Sequence, residues 1–239
     1  MMKSVVLVVL AVVAAVNAQK PICSPPQYMG GLGFTIGQTG PDGRPDGFTL
    51  NEYGAWDFAE RRLGLNLDIL YPNGTAYNFR IIQDYTTGTQ FTIFERYRFC
   101  AKQKAPMPEP ENCIPGNTSV AFRGFLGAGK DRLDYDLYTM KLTKEETGNL
   151  EGEGTFSVVR GTEYDIPLSN SFIGTYFDGE TPYAQVSNGG YYNIEIGIDD
   201  PKRWFDVPDY CPKELTDLTM IPKHIPKWTW IRLPAPRLF

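Results

Sequence analysis

The feature that most restricts this chain is a two-residue alternation of apolar and polar side chains. Leu63, Leu65, Leu67 and Ile69 fall on one side of an extended backbone, with Gly64, Asn66 and Asp68 on the other. Tyr192, Ile194, Ile196 and Ile198 alternate in the same way with Asn193, Glu195 and Gly197. So do Leu133, Tyr135, Leu137 and Thr139 with Asp134, Asp136 and Tyr138. A helix would scatter such residues around its circumference, whereas period two places them on one face of a strand. Further strands are expected at 48–51, 76–83, 90–98, 120–123, 155–160 and 172–177. Turn signals separate them: Pro41-Asp42-Gly43, Pro72-Asn73-Gly74, Thr87-Gly88, Asp178-Gly179 and Asn188-Gly189-Gly190. Helix is expected only in short pieces, one opened by Thr143 and ended by Gly148, another over 212–220. The spacing predicts an antiparallel all-β domain, a sandwich or half-open barrel with one or two short helices.

The remaining composition narrows the function. Lys and Arg number 23 against 28 Asp and Glu, a net charge of −5, so a nucleic-acid partner finds no electrostatic footprint. One histidine and four cysteines exclude a multi-histidine metal centre, and no Cys-x-x-Cys pair is present. Residues 1–18 read as a secretory leader: Lys3 precedes an apolar run over 4–16, and Val16-Asn17-Ala18 supplies the small residues of a cleavage site. That run is shorter than the ~20 residues of a membrane span, so the mature chain is expected to be secreted with no membrane span. In an oxidising route Cys23, Cys100, Cys113 and Cys211 form two disulfides, for which the sequence alone allows three pairings. Two sequons, at Asn73 and Asn117, sit beside turn residues where a glycan can point outward. The domain is expected over 19–220, followed over 221–239 by a Pro-rich, basic and aromatic tail.

The chemical motifs are few. Gly124 to Lys130 matches a phosphate-loop pattern, but Asp131 stands where the Mg²⁺-binding hydroxyl belongs, so a glycine turn between strands is expected. The histidine, His224, lies in the tail, away from any scaffold that would hold it beside a nucleophile. Acids are plentiful without a spacing that singles out a catalytic pair, which makes a carboxylate-dependent hydrolase the weakest of the functional readings. Asp199 and Asp200, at a predicted strand end, are the candidate calcium ligands, since an acidic secreted domain supplies the hard oxygens that calcium needs. The abundance of Tyr and Phe is compatible with either a filled core or an apolar cavity between curved sheets.

Cys23-Ser24-Pro25-Pro26-Gln27-Tyr28, with Gly30, resembles the N-terminal signature of ependymin-related proteins. The run from Tyr192 to Pro201, then Phe205, Pro208 and Cys211, is similar to that family's late strand, Asp-Pro turn and final cysteine. The resemblance spans about residues 20–220 and includes the Asn117 sequon. It implies two stacked, curved antiparallel sheets, similar to bacterial lipoprotein carriers, around a hydrophobic pocket. It also implies the disulfides Cys100–Cys211 and Cys23–Cys113, and bound calcium. The partners it implies are a lipid or other hydrophobic ligand and extracellular matrix components, and a homodimer is admitted. The expected function is therefore a secreted, non-enzymatic, calcium-binding glycoprotein with a lipid pocket. A structural matrix protein of calcified tissue, such as shell matrix, is the alternative.

Overall fold

The computed structural model describes residues 22–105, 112–114 and 118–217. The leader at 1–18, the Asn117 sequon, His224 and the tail at 221–239 lie outside them. Eleven strands follow in chain order: β1 (Gln27–Thr39), β2 (Pro45–Asp57), β3 (Arg62–Leu70), β4 (Ala76–Asp84), β5 (Thr89–Phe94), β6 (Phe99–Lys104), β7 (Ser119–Ala128), β8 (Asp131–Leu142), β9 (Leu150–Val159), β10 (Ile166–Asp178) and β11 (Thr181–Ile196). Among the described residues two short helices complete the secondary structure, α1 (Lys144–Thr147) and α2 (Pro201–Phe205), with one 3-10 turn at Glu95–Tyr97. The all-β antiparallel expectation holds. The strands hydrogen-bond as one continuous sheet in the order β6-β5-β4-β3-β2-β1-β11-β10-β9-β8-β7.

Two antiparallel meanders, β1–β6 and β7–β11, meet where β1 pairs with β11, so the first and last strands of the domain form its centre. Residues directly opposite in an antiparallel ladder share a face, and the register therefore defines an inner face across the sheet. Leu63, Leu65, Leu67 and Ile69 of β3 lie opposite Trp56, Gly54, Glu52 and Leu50 of β2, and these lie opposite Tyr28, Gly30, Leu32 and Phe34 of β1. The same face continues through Tyr191, Gly189 and Ser187 of β11, Asn170 and Phe172 of β10, and Phe156 of β9 to Tyr138 of β8. The core sits on it: Tyr28, Leu50, Leu63, Leu65, Leu67, Ile69, Phe79, Ile81 and Phe94 are all buried.

Among the described residues two segments cover the sheet. Residues 22–24 and 112–114 form a small clip joined by the Cys23–Cys113 disulfide and by hydrogen bonds from Ile114 N to Ile22 O and from Ser24 N to Asn112 O, each 2.8 Å. The clip sets Ile22 and Ile114 on Tyr138, Phe156 and Val158 of the inner face. Its backbone is held by Asp165, whose carboxylate accepts from Cys23 N at 3.1 Å and pairs with Arg160 at 3.3 Å. On the opposite, outer face, α2 buries Trp204 against Met29 and Ala55. Gly64 makes that seat, because a side chain there would collide with the Trp204 carbonyl. Arg80 then donates to the carbonyls of Trp204 and Asp206, and Cys211 joins Cys100 of β6. Thr216 caps the free edge of β6, exchanging hydrogen bonds with Lys102 N and O at 2.9 and 2.7 Å, which blunts an otherwise open strand edge.

Several local expectations need correction. Asn188-Gly189-Gly190 is not a turn: it lies inside β11, and the Phe34 ring fills the space beside Gly189. The strand expected at 90–98 stops at Phe94, where the chain enters the 3-10 turn and Arg98 takes a left-handed conformation. The helix expected from Pro212 is absent over 212–217; the backbone there is committed instead to Cys211 and to the β6 edge. The helix that does form, α2, begins at Pro201. Thr143 caps α1 as expected, accepting from Glu146 N, and Gly148 ends it. The phosphate-loop pattern is the end of β7 and the hairpin turn into β8, with no helix after it, so its amides are not arranged to cradle phosphates.

Candidate functional site

The inner face changes character along the strands. At one end half-buried rings gather where β2 begins and β3 ends. Phe48 packs on Tyr71 at 5.5 Å between ring centres, and Tyr71 meets Tyr77 edge-on at 6.2 Å. Phe34 lies beside them, and all four rings pack against the buried core. Outside them is a cleft of about 440 Å³ lined by Pro45, Asp46, Gly47, Tyr71, Pro72 and Asn73. Burial, with Asp46 and Tyr77 nearby, pushes the Tyr71 hydroxyl up to about 12. Asn73 stands on the exposed turn at the rim, its side-chain oxygen accepting from Thr75 N at 2.9 Å.

Deeper along the same face the lining becomes polar at isolated points. Glu52 is 1% exposed, and its Oε2 has no hydrogen-bond partner. Burial among Leu32, Leu67 and the neighbouring rings pushes its carboxyl up to about 8. The hydroxyls of Tyr28 and Tyr191 are held far above the usual phenol range, first by burial and then by neighbours that include Glu52. On β4 and β5, Gln83 donates to Gln90 at 2.6 Å, Gln90 to Thr92 at 3.3 Å, and Tyr85 closes onto Gln83. These groups satisfy one another, as buried polar atoms must. At the far end of β2, Asp57 is buried but paired with Arg62 at 2.9 Å and bonded by Gln27 at 2.8 Å, beside a void of about 10 Å³. That volume suits one water at most.

The structure places the expected site residues as follows. Cys100 is bonded to Cys211 and Cys23 to Cys113, and neither pair leaves a free thiol. Asp199 and Asp200 are exposed in the turn between β11 and α2, where Asp200 has positive φ ahead of Pro201. Among the described residues no third His, Cys, Asp or Glu converges on them. Asn73 reaches the cleft rim, a position that the sequon itself does not reveal. Sequence reasoning missed Glu52 and the Phe48–Tyr71–Tyr77 rings. The signal for Glu52 was present: in the series Phe48, Leu50, Glu52, Gly54, Trp56 it is an acid on the apolar beat.

No family model matches the chain. The development-specific protein LVN1.2 of Lytechinus variegatus is 98% identical over 185 residues, which are 77% of this chain and 98% of that protein. Among solved structures, a LolA superfamily protein from Nitrosomonas europaea aligns over 79% of this chain and 94% of its own, with 10% identity and a TM-score of 0.31. Lipovitellin, solved to show lipid–protein interactions, aligns over 82% of this chain with 9% identity and a TM-score of 0.34. This chain spans 28% of the lipovitellin chain.

Proposed function

The chain belongs to the family of the Lytechinus variegatus development-specific protein LVN1.2, and we propose that it is a secreted, non-enzymatic carrier of a hydrophobic ligand. The observation that carries this reading is the row of half-buried rings, Phe34, Phe48, Tyr71 and Tyr77, packed on the apolar inner face, of which Tyr71 also lines the open 440 Å³ cleft. The cleft opens at the surface; small-ligand sites are mostly apolar with a few placed polar groups, a lining that the inner face behind Tyr71 supplies. Rings of intermediate burial can turn aside for an alkyl chain at little cost, and each buried CH₂ then contributes ~0.8 kcal/mol. The secreted setting is supported by two disulfides, which persist in oxidising compartments. A glycan on Asn73 would stand at the rim and keep the mouth solvated. The ependymin-related resemblance belongs to this proposal, as does calcium bridging acidic loops such as Asp199-Asp200 to matrix. We extend to this chain the developmental specificity that the relative's name states.

A second reading, a matrix scaffold, is favoured by Phe122, Phe125, Leu126 and Leu133, which β7 and β8 leave exposed. One experiment separates the two. The full chain is secreted from a eukaryotic host and taken to native mass spectrometry, with and without calcium. A stoichiometric acyl ligand is expected. A ligand-free chain that gains mass only from calcium would overturn the carrier and favour the scaffold.

A further inference from the structure

Glu52 is an inner-face group that an apolar pocket does not need. Its neighbours in register, Leu32 and Leu67, are fully buried, and its Oε2 is left without a partner. Burying an unpaired polar atom costs ~1–3 kcal/mol, a penalty a leucine would avoid. Asn170 Oδ1 is a second unpartnered buried atom on the same face, and Tyr191, beyond Leu32, lies on β11 between the two. The inner-face positions of β1, β2 and β3 carry no lysine or arginine, so an anionic headgroup would gain no counter-charge there. Phe48 and Glu52 are four residues apart on β2, roughly 13 Å at the rise of a strand, the scale of one alkyl chain.

We propose that Glu52 is the polar anchor of an interior ligand site, its carboxylic acid O–H donating to the hydroxyl or carbonyl oxygen of a neutral single-chain lipid. The chain of that lipid lies toward Phe48 and Tyr71. This inference rests on the carrier reading and adds the ligand's class and the residue that selects it.

The test uses the full secreted chain, freed of endogenous ligand, with dodecan-1-ol and dodecane each delivered from cyclodextrin. The quantity read is the ratio of the two affinities. Glu52→Leu should lower the preference for the alcohol at least tenfold while leaving dodecane affinity within about threefold. Glu52→Gln, which keeps a donor, should hold most of the preference and guards against a folding artefact. An unchanged preference in Glu52→Leu would overturn the role of Glu52 and leave the carrier standing. Failure of the wild-type chain to bind either probe would overturn the carrier reading itself.

Discussion

β3 and β8 carry the same sequence signal and come to opposite ends, and β7, paired with β8, shares the exposure of its partner. Leu63, Leu65, Leu67 and Ile69 are at most 5% exposed, whereas Leu133, Leu126, Phe125 and Phe122 are 43–55% exposed. Alternation fixes only that a strand has two faces. Burial depends on where that strand falls in the sheet and on what lies over it. β3 lies three strands in from the β6 edge, with core on its inner face and α2 on its outer face; on β8 the Leu133 side of the alternation is the outer face, opposite Tyr138 and the clip that covers it, and β7 beyond it is the other edge of the sheet. An alternating strand is therefore a core element only where a further layer meets it.

The largest expected effect breaks this contrast directly. Leu67→Ala should cost ~2–5 kcal/mol by deleting a fully buried side chain, while Leu133→Ala should stay within ~0.5 kcal/mol. Urea unfolding of both variants measures the difference, and similar losses would show that the hairpin is as packed as β3. The disulfide that holds the outer cover comes next. Removing it as Cys100→Ser with Cys211→Ser should cost ~2–5 kcal/mol and increase hydrogen exchange in β5 and β6 more than in β8 and β9. Uniform loosening would contradict the separate covering of the two halves.

Glu52 tests the interior by pH. Its carboxyl is pushed up from 4.5 to about 8, so the folded chain keeps a proton that the unfolded chain has already released. Stability should therefore fall as pH rises from about 4.5 to about 8 and level off above that. The accumulated loss is ~2–5 kcal/mol, since each tenfold change in proton affinity is worth about 1.4 kcal/mol. Glu52→Gln should remove this slope; urea midpoints at pH 5 and pH 8 that still diverge in the variant would place the titrating group elsewhere. The smallest effect concerns the seat of α2. Gly64→Ala forces a methyl group into the Trp204 carbonyl and should cost ~1–3 kcal/mol, read as a loss of Trp204 fluorescence burial.

Much of the fold was legible because turn chemistry and period two are local. The turns at Asp42-Gly43, Asn73-Gly74, Gly88 and Asp178-Gly179 all separate consecutive strands. β1 was invisible for a physical reason. Gly30 and Gly31 interrupt its apolar beat where the side chains of Ile194 and Tyr192, from β11, cross over it, so its stability comes from neighbours far away in sequence. The extension of β11 through Asn188-Gly189-Gly190 was hidden in the same way. Of the candidate site, the disulfides followed from a resemblance to known proteins. The ring row at the cleft could not be read, because Phe48, Tyr71 and Tyr77 meet only through the β2–β3–β4 register.

Photolabelling tests the central claim most directly. The secreted chain is loaded with a diazirine-bearing fatty alcohol, irradiated and mapped by peptide mass spectrometry. The carrier account predicts label on the peptides holding Phe48, Tyr71 and Tyr77, at the cleft and inner face. Label concentrated on Phe122, Leu126 and Leu133 would contradict it, showing that lipid merely coats the exposed hairpin.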